Sequence, residues 1–167
     1  SMQEKEWASA IAQKIHDSLQ ENDKSLSADT AQRLIYANEI TEYTNQAPTY
    51  SSASYETDIL IYEWLSEERG KPRVVIETKI SGITTHDAIT YSRKSQDHKT
   101  IHPYLRYGIF IGNLGDSHIP GRLIRHGENF DFMVSWQDYE ASEKEWNGLM
   151  RVINSEIEAS RKLEKMV

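Results

Sequence analysis

The stretch from Tyr55 to Ile80 holds the residue types and spacings best suited to chemistry. It reads Tyr-Glu-Thr-Asp-Ile-Leu-Ile-Tyr-Glu-Trp-Leu, a polar segment over 66–72, then Arg-Val-Val-Ile-Glu-Thr-Lys-Ile. Two apolar, β-branched runs around a segment carrying Gly70 and Pro72 predict a β-hairpin with a long loop. Side chains alternate along a strand, so Glu77 and Lys79 share a face, with Val75 behind them. Antiparallel pairing lays the start of one strand beside the end of the next, which brings Asp58 close to both. Two carboxylates and an ammonium at one sheet end suit a hard cation, because magnesium takes a few carboxylate oxygens and retains waters. A blander reading stands beside this one: a same-face ion pair on an exposed sheet. Asp97-His98-Lys99 repeats the acid-x-Lys pattern in a polar segment.

Charge distribution sharpens the choice. The 167-residue chain carries a net −7, but residues 71–126 hold 9 Lys/Arg against 4 Asp/Glu, and five of the six histidines. Residues 1–70 hold 5 against 13, and residues 127–167 hold 5 against 9. A basic middle following an acidic pair is what a nuclease needs: cations for phosphates around an acidic metal pocket. A solvated charged surface is the competing reading. The chain contains no cysteine, which excludes disulfides and thiolate zinc sites. No apolar run approaches the ~18 residues of a membrane span, so no membrane partner and a cytoplasmic location are expected. Length and a hydrophobic content of 38% suit one ordinary globular domain spanning 1–167.

The elements that must position the hairpin residues follow from periodicity. Trp7, Ile11, Ile15 and Leu19 at four-residue steps predict an amphipathic helix over 2–20. Ser27-Ala28-Asp29 offers caps for a second helix through Thr30, Leu34, Ile35 and Ala37, with Glu39 and Glu42 at or just past its end. Residues 41–54 read as loop, with a short strand possible at Thr49-Tyr50. After Gly82, Thr84, Thr85 or His86 caps a helix running to about Lys99, and Asp87, Tyr91, Lys94 and His98 share one of its faces. Residues 106–113 form a buried-type strand bounded by glycines, so strand, helix and strand predict a parallel crossover. Residues 122–125 and 130–134 read as further strands, and Trp146 to Leu163 as a C-terminal helix within 137–165. Tyr91, Lys94 and His98 line a groove beside the metal on the functional reading; on the structural one, Tyr91 is core and the others a solvated stripe. Arg93, Lys99, Arg106, Arg122 and Arg125 are phosphate candidates that also read as ordinary surface charges.

Thr57-Asp58, then Glu77-Thr78-Lys79 closing an apolar strand, then a helix and a strand, resembles the PD-(D/E)XK nuclease superfamily. The segment from Tyr91 through Asn113 is similar to the helix and strand that follow the catalytic strand there, and the resemblance covers about 29–134. Thr57 stands in place of the proline of the family name. The resemblance implies an α/β fold, a restriction-endonuclease-like mixed central β-sheet flanked by α-helices. It also implies Mg2+ held by Asp58 and Glu77 with the Thr78 carbonyl, and Mn2+ as a substitute. Lys79 would orient or deprotonate the attacking water. A helix-borne upstream glutamate is common in such proteins; Glu39 is the candidate, with Glu42 behind it, and an ordinary surface acid is the other reading of either. Tyr91, Arg93, Lys94 and His98 would meet DNA. The expected function is a magnesium-dependent endonuclease of restriction or defence type, acting on double-stranded DNA as a homodimer. A structure-specific nuclease or resolvase, and a non-catalytic DNA-binding or assembly module, are the alternatives.

Overall fold

The computed structural model describes residues 2–167. The elements in order are α1 (Met2–Asn22), β1 (Leu26–Tyr43), β2 (Pro48–Trp64), β3 (Gly70–Ile80), α2 (Thr85–Ile101), β4 (Arg106–Gly112), α3 (Gly121–His126), β5 (Phe132–Ser135) and α4 (Glu143–Glu164). The strands form one mixed sheet in the order β1-β2-β3-β4-β5. β1–β2 and β2–β3 pair antiparallel, while β3–β4 and β4–β5 pair parallel. The α/β architecture, a mixed central sheet with helices on its faces, is as the sequence predicts. Among the described residues, no helix is long and apolar enough to cross a membrane.

Alternation along β2 and β3 feeds two cores. Ile59, Ile61, Val74 and Ile76 join Trp7, Ile11, Ile15, Leu149 and Ile153 under α1 and α4. Leu60 and Val75 point the other way and pack with Leu34, Leu105 and Tyr107. Further along that second face, α2 and α3 cover Ile109 and Ile111 with Ala88 and Leu123. Burial of this order, at ~25 cal/mol per Å², is the main term holding sheet and helices together. Gly112 at the end of β4 lets α1 approach closely, because a Cβ there would collide with the Trp7 indole.

Three expectations are corrected. The segment expected to be a helix from Ala28 to Ala37 is the middle of β1, and 41–54 completes a long hairpin with β2 rather than a loop. Thr30, Leu34, Ile35 and Ala37 fit a helical period, but residues 53–59 of β2 supply a strand partner that local periodicity does not reveal. Residues 122–125, expected as a strand, lie in α3, opened after Pro120 and closed at Gly127. The remaining helices and strands fall where expected, including the α2 start: Thr84 and Asp87 form a reciprocal capping box.

Candidate active site

Asp58 is the first residue of β2 beyond the last backbone pair with β3, Ile59 with Ile76. Its Oδ2 accepts the Thr78 amide at 2.8 Å and the Thr78 hydroxyl at 3.3 Å, replacing the lost strand partner. The carbonyl of a strand residue opens to the same side as its amide, so the Thr78 carbonyl lies beside Asp58. The β2–β3 register continued by one step places Glu77 next to Asp58. The two carboxylates expected to converge do so.

Glu77 is 2% exposed. Burial above all, then the charge of Asp58 and a hydrogen bond to it, push its pKa well above the carboxylate range. The Tyr107 hydroxyl donates to Glu77 Oε1, and this bond and the charge of Lys94 pull the pKa partly back. Tyr107 comes from β4, where it pairs with Val75, two residues from Glu77 and on the same face. Burial and the Glu77 charge raise the Tyr107 pKa well above the phenol value, which keeps the hydroxyl a donor.

Lys79 extends the same face. Its Nζ lies 3.7 Å from Glu4 Oε1, 4.0 Å from Asp87 Oδ2 and 5.2 Å from the centroid of the Tyr91 ring. Burial works against the ammonium, but Tyr91, Glu4 and Asp87 outweigh it, and the Lys79 pKa lies above the ordinary value. Lys79 is therefore a cation here, suited to stabilising negative charge rather than to taking a proton.

The helix face supplies Tyr91 and Lys94 as expected. Lys94 Nζ sits between two rings, 5.0 Å from the centroid of Tyr55 and 5.3 Å from that of Tyr91. Arg93 is exposed and paired with Asp97 at 3.0 Å. His98 is a correction: it is fully buried and cannot reach DNA from there. Its ring stacks 5.8 Å from Tyr107 and meets Tyr55 edge-on at 5.6 Å, and its Nδ1 lies 3.2 Å from the Ile35 carbonyl. It fell on the predicted α2 face, but that face points into the sheet where β1 crosses the helix.

Glu39 is the second correction. It lies on β1, not on a helix, and pairs with Ser51 in the exposed part of the hairpin. It lies eight residues along β1 from Ala31, which is opposite Asp58, or about 26 Å at ~3.3 Å per residue. Two helix-borne carboxylates flank Lys79, Asp87 of α2 and Glu4 of α1, and sequence reading left Glu4 out. Its signal was available: Glu4 sits three residues before Trp7, so it continues the stripe Trp7, Ile11, Ile15. An acid on an apolar stripe needs a partner, and Lys79 provides one.

A cleft of about 280 Å³ opens onto Asp58 and Thr78, lined also by Glu4, Lys5, Thr30, Ala31, Glu56 and Thr57. Ala31, at φ +54°, holds a left-handed conformation costly for a residue with a Cβ. It lies between Thr30 and Gln32 of β1, opposite Asp58, and lines the cleft. A larger cleft of about 1230 Å³ lies between the 136–145 segment and α4. Its Glu145 is spent on the amides of Gln137 and Ser142, so the smaller cleft is the one with chemistry at hand.

The donor set at Asp58 is two carboxylates and a carbonyl, all hard oxygens. Among the described residues no group of three Asp, Glu or His side chains converges as a metal cage. Magnesium fits such a sparse set, since it is commonly held by one or two carboxylates and several waters. The basic middle of the chain is partly neutralised: Arg73 is buried against Glu63 and Glu164, Lys99 pairs with Asp131, and Arg106 with Asp131 and Glu156. Comparison with known proteins gives no matching family model and no matching curated sequence.

Proposed function

We propose that the chain is a magnesium-dependent endonuclease that hydrolyses phosphodiester bonds in double-stranded DNA, of the PD-(D/E)XK kind and of restriction or defence type, working as a homodimer. The observation that carries this reading is the pairing of Asp58 with a buried Glu77 at the sheet end beside the cleft, with a cationic Lys79 two residues on along the same face of β3. A bound magnesium ion supplies charge on the phosphoryl oxygens and a lowered pKa for bound water. Asp58 Oδ1, Glu77 and the Thr78 carbonyl offer the ligands, while Thr78 and Tyr107 fix the two carboxyl groups through their other oxygens. In the hydrolysis a water oxygen bonds to phosphorus, the ester P–O bond breaks, and the leaving oxygen takes a proton. Lys79 meets the charge that gathers on the phosphoryl group. One such site cuts one strand, so duplex cleavage calls for two copies.

The burial of Glu77 favours one other reading, a DNA-binding or assembly module whose acidic pair only braces the fold. Incubating supercoiled plasmid with the protein and magnesium separates the two. Nicked and linear products that vanish in EDTA and with Lys79→Ala are expected. An intact plasmid with both magnesium and manganese, or unchanged cleavage by Lys79→Ala, would overturn the nuclease reading.

A further inference from the structure

The β1–β2 hairpin runs far past the rest of the sheet. β3 pairs with β2 only over Ile59–Trp64, and every residue of 38–52 except Pro48 is exposed. This arm is a ribbon of two strands with both outer edges open. Its register sets Ile40 opposite Tyr50 and Tyr43 opposite Pro48. Directly opposed residues share a face, and so do Tyr50 and Pro48, two positions apart. Ile40, Tyr43, Pro48 and Tyr50 therefore form one apolar face. Ile40 is 48%, Tyr43 78% and Tyr50 62% exposed. Glu39 with Ser51, and Glu42 with Thr49, fall on the other face, which carries both of the arm's charges.

We propose that this apolar face is where two copies of the chain pack, ribbon on ribbon across a two-fold axis. A lone two-stranded ribbon is marginal in water and gains stability when a face is covered. Face-to-face packing of two such ribbons buries the aromatic residues and turns Glu39 and Glu42 of each copy outward. Two chains of net −7 repel, so they meet best through a sector without charge, and this face is one. The absence of Lys and Arg from 38–52 disfavours DNA as the occupant, since phosphate contact needs cations. The contact is small, below the ~800 Å² per partner of a standard interface, so association is expected to be reversible and in the micromolar range. The arm springs from Asp58, and pairing arms would place two sites in one particle.

The proposal extends the homodimer of the proposed function, but association is measured without DNA or metal, so the two can fail separately. Sedimentation velocity of the full chain from low to high micromolar concentration is the test. The wild type should pass from monomer to dimer, and Tyr43→Glu with Tyr50→Glu should weaken association at least tenfold. Glu42→Gln on the opposite face should not weaken it. Circular dichroism and melting should match across the three proteins, since all the changes are at the surface. A wild type monomeric throughout, or a dimer that survives the double substitution, would overturn the proposal. So would a monomer whose DNA affinity falls in the double variant, which would assign the face to DNA.

Discussion

Asp58 stands in for a strand: its Oδ2 accepts the Thr78 amide at 2.8 Å, just where β2 leaves β3. The carboxylate thus caps a buried amide and lies beside a buried Glu77 at once. These two roles pull stability in opposite directions, and substitutions can separate them.

Asp58→Asn keeps an oxygen for the Thr78 amide and removes the charge that opposes Glu77. Asp58→Ala leaves that amide without its acceptor, at a cost of about 1–3 kcal/mol. Both variants should lose cleavage, but the Asn variant should be more stable than the Ala variant by about 1–2 kcal/mol in urea denaturation at pH 7. Equal midpoints would show that Asp58 does not cap Thr78 in solution.

Tyr107→Phe tests the other side of Glu77. The hydroxyl favours the ionised carboxylate, so its removal should raise the Glu77 pKa further. Magnesium binding needs the ionised form, so the acid limb of the pH–affinity curve should move to higher pH. Calorimetric titration with magnesium across pH 6–9 reads this directly. A curve identical to that of the wild type would mean that the phenol only packs.

His98 should govern acid stability instead of DNA contact. Burial above all lowers its pKa from 6.5 to about 4. As the pH falls below 6.5 the unfolded chain takes up a proton that the folded chain refuses, so stability is lost over the window from 6.5 down to about 4. Between pH 7 and pH 5 this amounts to about 2 kcal/mol. His98→Phe lacks the titrating ring, so its stability should fall by that much less over the same interval. Parallel denaturation series at the two pH values give the difference, and parallel losses would contradict a neutral buried imidazole. Glu77 runs the other way, since a raised carboxyl pKa costs stability as pH rises, but it does so in both proteins.

What was legible in the sequence was whatever a short window specifies. The alternation of 55–64 and 73–80, the stripe from Trp7 to Leu19 and the Thr84 cap are local signals, and the elements they predict are present. Asp58, Glu77 and Lys79 could be placed at one end of the sheet because one hairpin carries all three. β1 was misread because its partner is a separate segment across a turn, and α3 because six residues are too few to show a period. Tyr107 and Glu4 were missed for a different reason. They reach the site through a parallel crossover and through packing of α1 over Gly112, and neither leaves a mark near Glu77 in the chain. His98 shows the converse, a correct helix face assigned to solvent when β1 covers it.

Glu4 gives the last test. Its carboxylate lies 3.7 Å from Lys79 Nζ and on the wall of the cleft that opens onto Asp58. Glu39, the carboxylate first expected in this role, is exposed on the hairpin arm. Glu4→Gln keeps size and hydrogen bonding but removes the charge that holds Lys79 in place. The ammonium is then freer to turn toward Asp87 or solvent, and each wrong placement of a charge-stabilising group costs rate. Cleavage by Glu4→Gln should fall about 10–100-fold, with kcat more affected than KM because Glu4 is not among the proposed DNA contacts. Glu39→Gln should cleave like the wild type. Single-turnover cleavage of a labelled duplex in magnesium measures both, and a loss in Glu39→Gln with none in Glu4→Gln would return the role to the hairpin arm.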